Sequence, residues 1–194
     1  LKDRLYTFAP KSAGRRSAQS ALYQIVEAFT RLLAPILCFT ADEIWEALPG
    51  KREASVHLAE FPEGAAHEGD EDLLKRWDER EMGILSIRSE VQRSLEQKRN
   101  EKVIGASLQA NVTLSVGPDQ YGLLKACEDQ LPAIFIVSQV QLLESATGVM
   151  EIRVEHASGA KCERCWNWSE TVGTDARFPT IDARCVRQIE EGWG

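Results

Sequence analysis

Three cysteines and one aspartate near the end of the chain restrict its folding more than any other feature. Cys162 and Cys165 are separated by two residues; residues 166–181 follow, and Asp182 and Cys185 then repeat the same spacing. Two thiols at that spacing sit on one tight turn, so their thiolates can face a common ion. A second pair at this distance closes a four-ligand tetrahedral site of the zinc type. One corner is aspartate, an oxygen donor harder than thiolate, which lowers the expected affinity without removing the site. Residues 158–194 are too few to fold on apolar burial alone. One structural zinc ion per chain is therefore expected to hold them, through Cys162, Cys165, Asp182 and Cys185. The fourth ligand is left open: water, or His156 six residues before Cys162, could replace Asp182, though His156 reads first as a strand-end side chain; His57 and His67 are expected at the surface. Five cysteines with three clustered suit a metal site in a reducing cytosol better than a disulfide framework, so the expected location is cytoplasmic. Cys38 and Cys127 lie in apolar context and are expected to be core thiols.

Upstream of this knuckle the apolar periodicity changes once. Leu22, Ile25, Val26, Phe29, Leu32 and Leu33 recur at three- and four-residue spacing, which predicts helix within 17–48 and one buried stripe. Pro35 should kink or end that helix. Thr40-Ala41-Asp42-Glu43 reads as a capping box opening the next, and Pro49-Gly50 should stop it. Residues 49–70 read as an exposed connection with one short extended piece, Ser55–Leu58. Leu74, Trp77, Ile84, Val91 and Leu95 predict one long helix over 71–99, and these helices together suggest an antiparallel bundle. Then Leu108, Ala110, Val112, Leu114 and Val116 alternate with polar residues, the mark of a half-buried strand. A short helix around 119–129, a strand over 138–144, and a third strand from Met150 to Val154 should follow. Thr147-Gly148 reads as the hairpin turn between the last two strands. The fold class is α+β: an antiparallel helical bundle over 1–105, a small α+β unit on an antiparallel sheet over 106–157, and a zinc-ribbon-like knuckle over 158–194.

The chemistry on offer is binding chemistry. The formal net charge of −7 is unevenly spread. Lys2, Arg4, Lys11, Arg15 and Arg16 stand against Asp3 alone in the first sixteen residues, and residues 88–102 are also net basic. Local fields matter more than the sum when a partner is rich in phosphate. Lys161, Arg164, Trp166 and Trp168 crowd the first pair of cysteines. A metal-held turn with Trp and Arg at its lip suits stacking on unpaired bases. No glycine-rich phosphate loop occurs, the three histidines stand apart, and no nucleophile and base converge, so no catalytic residue is assigned. No apolar run approaches the ~18 residues of a membrane span. The start carries no signal peptide and no Met, and the chain reads as a piece of a longer protein.

Several stretches carry a resemblance. Lys2-Asp3-Arg4-Leu5-Tyr6, Arg15-Arg16-Ser17-Ala18-Gln19, Ala34-Pro35-Ile36-Leu37, Phe39-Thr40-Ala41-Asp42-Glu43-Ile44-Trp45 and Ser55-Val56-His57-Leu58 resemble the anticodon-binding helical domain of class I aminoacyl-tRNA synthetases. Residues 102–110 resemble the segment that joins this domain to the C-terminal region in bacterial isoleucyl-tRNA synthetases. Lys161-Cys162-Glu163-Arg164-Cys165-Trp166 with Arg184-Cys185 is similar to the terminal zinc finger of those enzymes, and also to that of formamidopyrimidine-DNA glycosylases. The resemblance implies a parent ligase that attaches isoleucine to its tRNA using ATP, with catalytic and editing domains upstream of Leu1. Asp182 departs from it, since the family usually has Cys there. On this reading the partner is the anticodon stem-loop of an isoleucine tRNA, bound by a monomer. Lys2, Arg4, Arg15 and Arg16 would meet phosphates, and Arg164 and Trp166 would meet unstacked bases. The alternative is a stand-alone zinc-ribbon module for nucleic acid or protein docking, with no preference for the anticodon arm.

Overall fold

The computed structural model describes residues 1–63, 70–78 and 83–193. In chain order the helices are α1 (Lys2–Thr7), α2 (Ala13–Leu33), α3 (Cys38–Ala47), α4 (Asp70–Trp77) and α5 (Ile84–Asn100). Strand β1 (Ala110–Val116), helices α6 (Pro118–Lys125) and α7 (Leu131–Phe135), and strands β2 (Gln139–Glu144) and β3 (Glu151–His156) follow. Two short strands, β4 (Ala160–Lys161) and β5 (Trp168–Ser169), and helix α8 (Ala183–Trp193) complete the chain. The class is α+β, with a helical N-terminal region, a small mixed sheet and a cysteine-rich knuckle. Two compact units result, Leu1–Ala66 with Gln188–Gly194, and His67–Arg187. Among the described residues no helix is long and apolar enough to cross a membrane.

In the first unit α2 begins where Ser12 caps it, its hydroxyl accepting from the Arg15 N–H at 3.3 Å. It ends before Pro35, as expected. Leu33 then accepts from the N–H groups of Ile36 and Leu37, a turn that starts α3 earlier than the capping box would place it. Thr40 is consequently inside α3 and caps nothing; Leu37 precedes the helix with no side-chain cap. Asp42 instead ties the following loop, accepting from Ser55 Oγ at 2.7 Å and the Val56 N–H at 3.0 Å. These bonds hold its carboxyl below the usual range, with the Ser55 bond the larger cause. Ser55–Leu58 is not extended: Val56–Leu58 form one 3-10 turn, nucleated by the Ser55 hydroxyl on the His57 N–H. Trp45 sits in a small core with Ala34, Ala41 and Val56, its indole N–H donating to the Glu53 carbonyl at 3.0 Å.

That core uses little of the apolar stripe. Ile25, Val26, Phe29, Leu32 and Leu33 are exposed, Phe29 to 57%. The stripe was expected to be core, but α3 and the loop to Ala59 cover α2 mainly through Ala34 and Ala41, leaving a groove lined by Val26, Phe29, Leu37 and Ile44. Cys38, expected as a core thiol, is exposed in the first turn of α3. His57 is exposed; His67 lies outside the described residues.

In the second unit β1 lies between its two neighbours, in the order β2-β1-β3. Ala110, Val112, Leu114 and Val116 face inward at 0% exposure, so the alternation read from the sequence is the strand's buried face. Val112 stands between Val140 and Val154, and Leu114 between Leu142 and Ile152. Ile84, Ile87, Val91 and Leu95 of α5, with Leu124, Leu131 and Phe135, close this core. Cys127 packs against it half-buried, and burial pushes its thiol up. The helix expected over 71–99 is two pieces: α4 ends at Trp77 and α5 begins at Ile84, with residues 79–82 outside the described ones.

The sheet is mixed where an antiparallel one was expected. Helices α6 and α7 carry the chain back, so β2 runs parallel to β1, and only β3 is antiparallel to it. β2 and β3 lie on opposite sides of β1, so Thr147-Gly148 cannot be a hairpin turn between them. This stretch crosses the end of β1: Ser145 N–H bonds the Val116 carbonyl at 2.7 Å, and a Cβ on Gly117 would stand 3.4 Å from the Gly148 carbonyl oxygen.

The two cores differ enough to be told apart by mutation. Leu114→Ala should destabilise the sheet unit by about 2–5 kcal/mol. Phe29→Ala, on the open face of α2, should change the first unit by no more than about 0.5 kcal/mol. Amide exchange in β1 and α2 under rising urea measures both.

Candidate metal centre and nucleic-acid surfaces

The second unit carries the cysteine cluster. β4 and β5 pair antiparallel, with Lys161 opposite Trp168, and bring Cys162 and Cys165 onto a tight turn. The Cys162 N–H bonds the Asn167 carbonyl at 2.8 Å, and the Trp166 N–H bonds the Cys162 carbonyl at 2.9 Å. Closing so tightly forces Trp166 to φ 67°, the left-handed region that a residue with a Cβ enters at a cost. The turn is tied to the sheet through Ser138, whose hydroxyl donates to the Leu108 carbonyl and accepts from the Trp168 N–H at 2.7 Å.

Cys185 comes from the first turn of α8, and Asp182 precedes that helix. The Sγ atoms of Cys162, Cys165 and Cys185 and a carboxylate oxygen of Asp182 all lie within 4.8 Å of one another. Cys162 and Cys185 are fully buried, and Asp182 is 4% exposed. Cys162 Sγ and Cys185 Sγ are 3.8 Å apart, and Cys165 Sγ is 3.3 Å from Asp182 Oδ2. With zinc–sulfur bonds of about 2.3 Å, a tetrahedron has sulfur–sulfur edges of about 3.8 Å, and an edge to oxygen is somewhat shorter. The donor set fits a metal ion of the zinc type. Asp182 does two things at once. Its Oδ1 accepts the Cys185 N–H at 2.7 Å and caps α8, while its Oδ2 faces the sulfurs.

The electrostatics suit the same ion. Cys165 is lowered to about 6, first because the Cys185 thiol donates to its thiolate, with the Asn167 N–H and the Arg184 guanidinium helping and burial and Asp182 opposing. Cys185 is correspondingly raised, because it holds the shared proton, and burial adds to this; Arg164 hydrogen-bonds its sulfur and works the other way. Two guanidiniums thus reach a cluster of four acidic ligands. Arg184 was read from the sequence only as part of the finger-like motif, with no role of its own; its place next to Cys185 was the signal. His156 is no part of the cluster. Its ring meets Trp168 edge-on at 4.6 Å, and its Nδ1 is 2.8 Å from the Ala157 carbonyl. Trp168 is half-buried and packs; Trp166 is 61% exposed.

The cations expected to meet phosphate lie in the first unit and are unequal. Lys2 is exposed, on α1. Arg4 is half-buried. Arg15 donates to the Phe8 carbonyl at 3.2 Å and so braces the α1–α2 turn, while Arg16 reaches Gln19 Oε1 at 3.3 Å. Residues 188–193 of α8 pack here too: Gln188 Oε1 accepts the Ala9 N–H at 2.7 Å, and a Cβ on Gly192 would lie 2.6 Å from Pro10.

Residues 1–114 match the family described as the anticodon-binding domain of tRNA ligase. Three relatives are named isoleucine–tRNA ligase. The protein from Syntrophotalea carbinolica is 47% identical over 200 residues, covering 98% of this chain and 21% of the relative. Those from Dichelobacter nodosus and Bacillus mycoides are 45% and 39% identical over 99% of the chain and 20% and 21% of their own lengths. The chain spans about one fifth of the relatives it matches. The match covers more than half of the chain and includes the whole helical N-terminal region: the chain belongs to the family of anticodon-binding domains of tRNA ligases.

Proposed function

We propose that this chain is the C-terminal part of a cytoplasmic, monomeric class I isoleucine–tRNA ligase, and that it grips the anticodon stem-loop of isoleucine tRNA while the parent enzyme attaches isoleucine using ATP. The observation that carries this is the family match over residues 1–114, joined to relatives that align along nearly the whole chain. Lys2, Arg4, Arg15 and Arg16 are assigned to phosphates. Arg164 and Trp166 are assigned to unstacked anticodon bases, because an exposed indole on a rigid turn is a stacking surface. The three stretches 1–105, 106–157 and 158–194 are a division of labour; in packing, α5 belongs with the sheet.

One zinc ion per chain is assigned to Cys162, Cys165, Asp182 and Cys185, in a structural role. Bound there, the ion would hold the knuckle and neutralise its thiolates. Chelation should unfold the knuckle and leave α2 and α3 helical, as read by amide exchange. Asp182→Cys should bind zinc more tightly than the natural chain, by competition with a chelating dye. The ligands must be deprotonated, so zinc has to displace the proton that Cys185 keeps and affinity rises with pH; the fall is steeper below the Cys165 value of about 6, where a second proton must leave. Affinity independent of pH between 5 and 8 contradicts the ligand set.

For RNA, the test is binding to an anticodon stem-loop of isoleucine tRNA and to one altered in the anticodon alone. Neutralising Arg15 and Arg16 should weaken both equally and flatten the salt dependence. Trp166→Ala should cost roughly 1–3 kcal/mol with the isoleucine loop and less with the altered one. Equal losses, or none, assign Trp166 to packing.

A further inference from the structure

The cation that stands over the exposed indole is Lys161. Lys161 ends β4, and its Nζ lies 5.4 Å from the centre of the Trp166 ring. Lys161 is exposed, and Trp166 retains 61% of its surface although an ammonium stands over one face. The backbone under both is fixed. Lys161 is held opposite Trp168 in the β4–β5 ladder, and Trp166 is held by its N–H bond to Cys162. An ammonium over an indole is attracted by the ring's quadrupole, which narrows the ring's range of orientations. Arg164, by contrast, hydrogen-bonds the Cys185 sulfur, so its guanidinium is engaged at the metal cluster.

We propose that Lys161 and Trp166 form one composite contact for single-stranded RNA. The indole stacks on an unpaired base through the face turned away from Lys161, and the ammonium takes the phosphate beside that base. The proposal rests on the reading that the knuckle meets RNA, and adds a residue and a division of roles to it. Stacking supplies affinity that every base can provide. The ammonium supplies counterion release, and because the ring already restrains it, little of its freedom remains to be lost on binding.

The test uses the zinc-loaded chain and a labelled anticodon stem-loop, with affinity measured across a series of salt concentrations. Lys161→Met should lower the slope of log K against log salt by about 0.7–0.9, one phosphate contact, and Lys161→Arg should restore it. Trp166→Ala should lower affinity about tenfold. The double variant should lose less than the product of the single losses, because Lys161 also orients the ring. An unchanged slope in Lys161→Met, with the Trp166→Ala loss intact, overturns the pairing and leaves the knuckle as an RNA contact. No loss in either variant overturns both. Zinc content is read for each variant, and loss of metal from Lys161→Met makes Lys161 a structural residue of the turn and overturns the proposal.

Discussion

The convergence of three thiols and one carboxylate is the interaction on which the C-terminal part of this chain depends. Between Ser158 and Arg187 the fully or nearly buried residues are Cys162, Cys185, Asp182, Ile181 and Val186. Two aliphatic side chains at about 1.5–3 kcal/mol each do not offset the ordering of some thirty residues. In their ionised forms the four acidic ligands would repel one another without a cation among them. Arg164 and Arg184 relieve part of that, and the geometry fits a divalent ion for the rest. Asp182 links this electrostatic constraint to the backbone, since the same carboxylate caps α8 and faces the sulfurs. A cysteine there would suit a zinc ion better and cap a helix worse.

Strand β1 plays the matching part in the sheet. It bonds to a neighbour on each side, and its four inward residues are wholly buried. The knuckle is attached beside it by Ser138 and by the edge-on pair of His156 and Trp168. A sheet beneath a tight, hydrogen-bonded turn restrains the backbone at Trp166. The first unit is built differently. Its core is small and centred on Trp45, and its longest helix leaves an apolar face open.

What could be read from the sequence follows from the range of the forces involved. The cysteine spacing is local chemistry and led straight to the four-residue cluster. The alternation at 108–116 is also local and from Ala110 onward became β1, while Leu108 and Gln109 lie in the 3-10 turn before it. The direction of β2 is not local: Thr147-Gly148 looks the same whether it closes a hairpin or crosses the end of another strand, and only the return through α6 and α7 decides. The stripe of α2 showed which face is apolar but not what covers it. Thr40 looked like a cap because its neighbours fit the pattern, yet the turn after Leu33 had already started the helix. The left-handed backbone at Trp166 carried no sequence signal, since glycine is the residue such a position normally announces.

That last feature permits a direct test of the central claim, that a metal-held turn keeps Trp166 in a costly conformation for the sake of RNA. Glycine adopts φ 67° freely, so Trp166→Gly should relieve the strain, by about 1 kcal/mol. The measurement is zinc affinity and anticodon stem-loop affinity of the Trp166→Gly chain, side by side. Zinc bound as tightly or more tightly, with RNA bound about tenfold more weakly, is the predicted result. Weaker zinc binding with unchanged RNA binding would contradict the account, because the indole would then be packing that the turn needs.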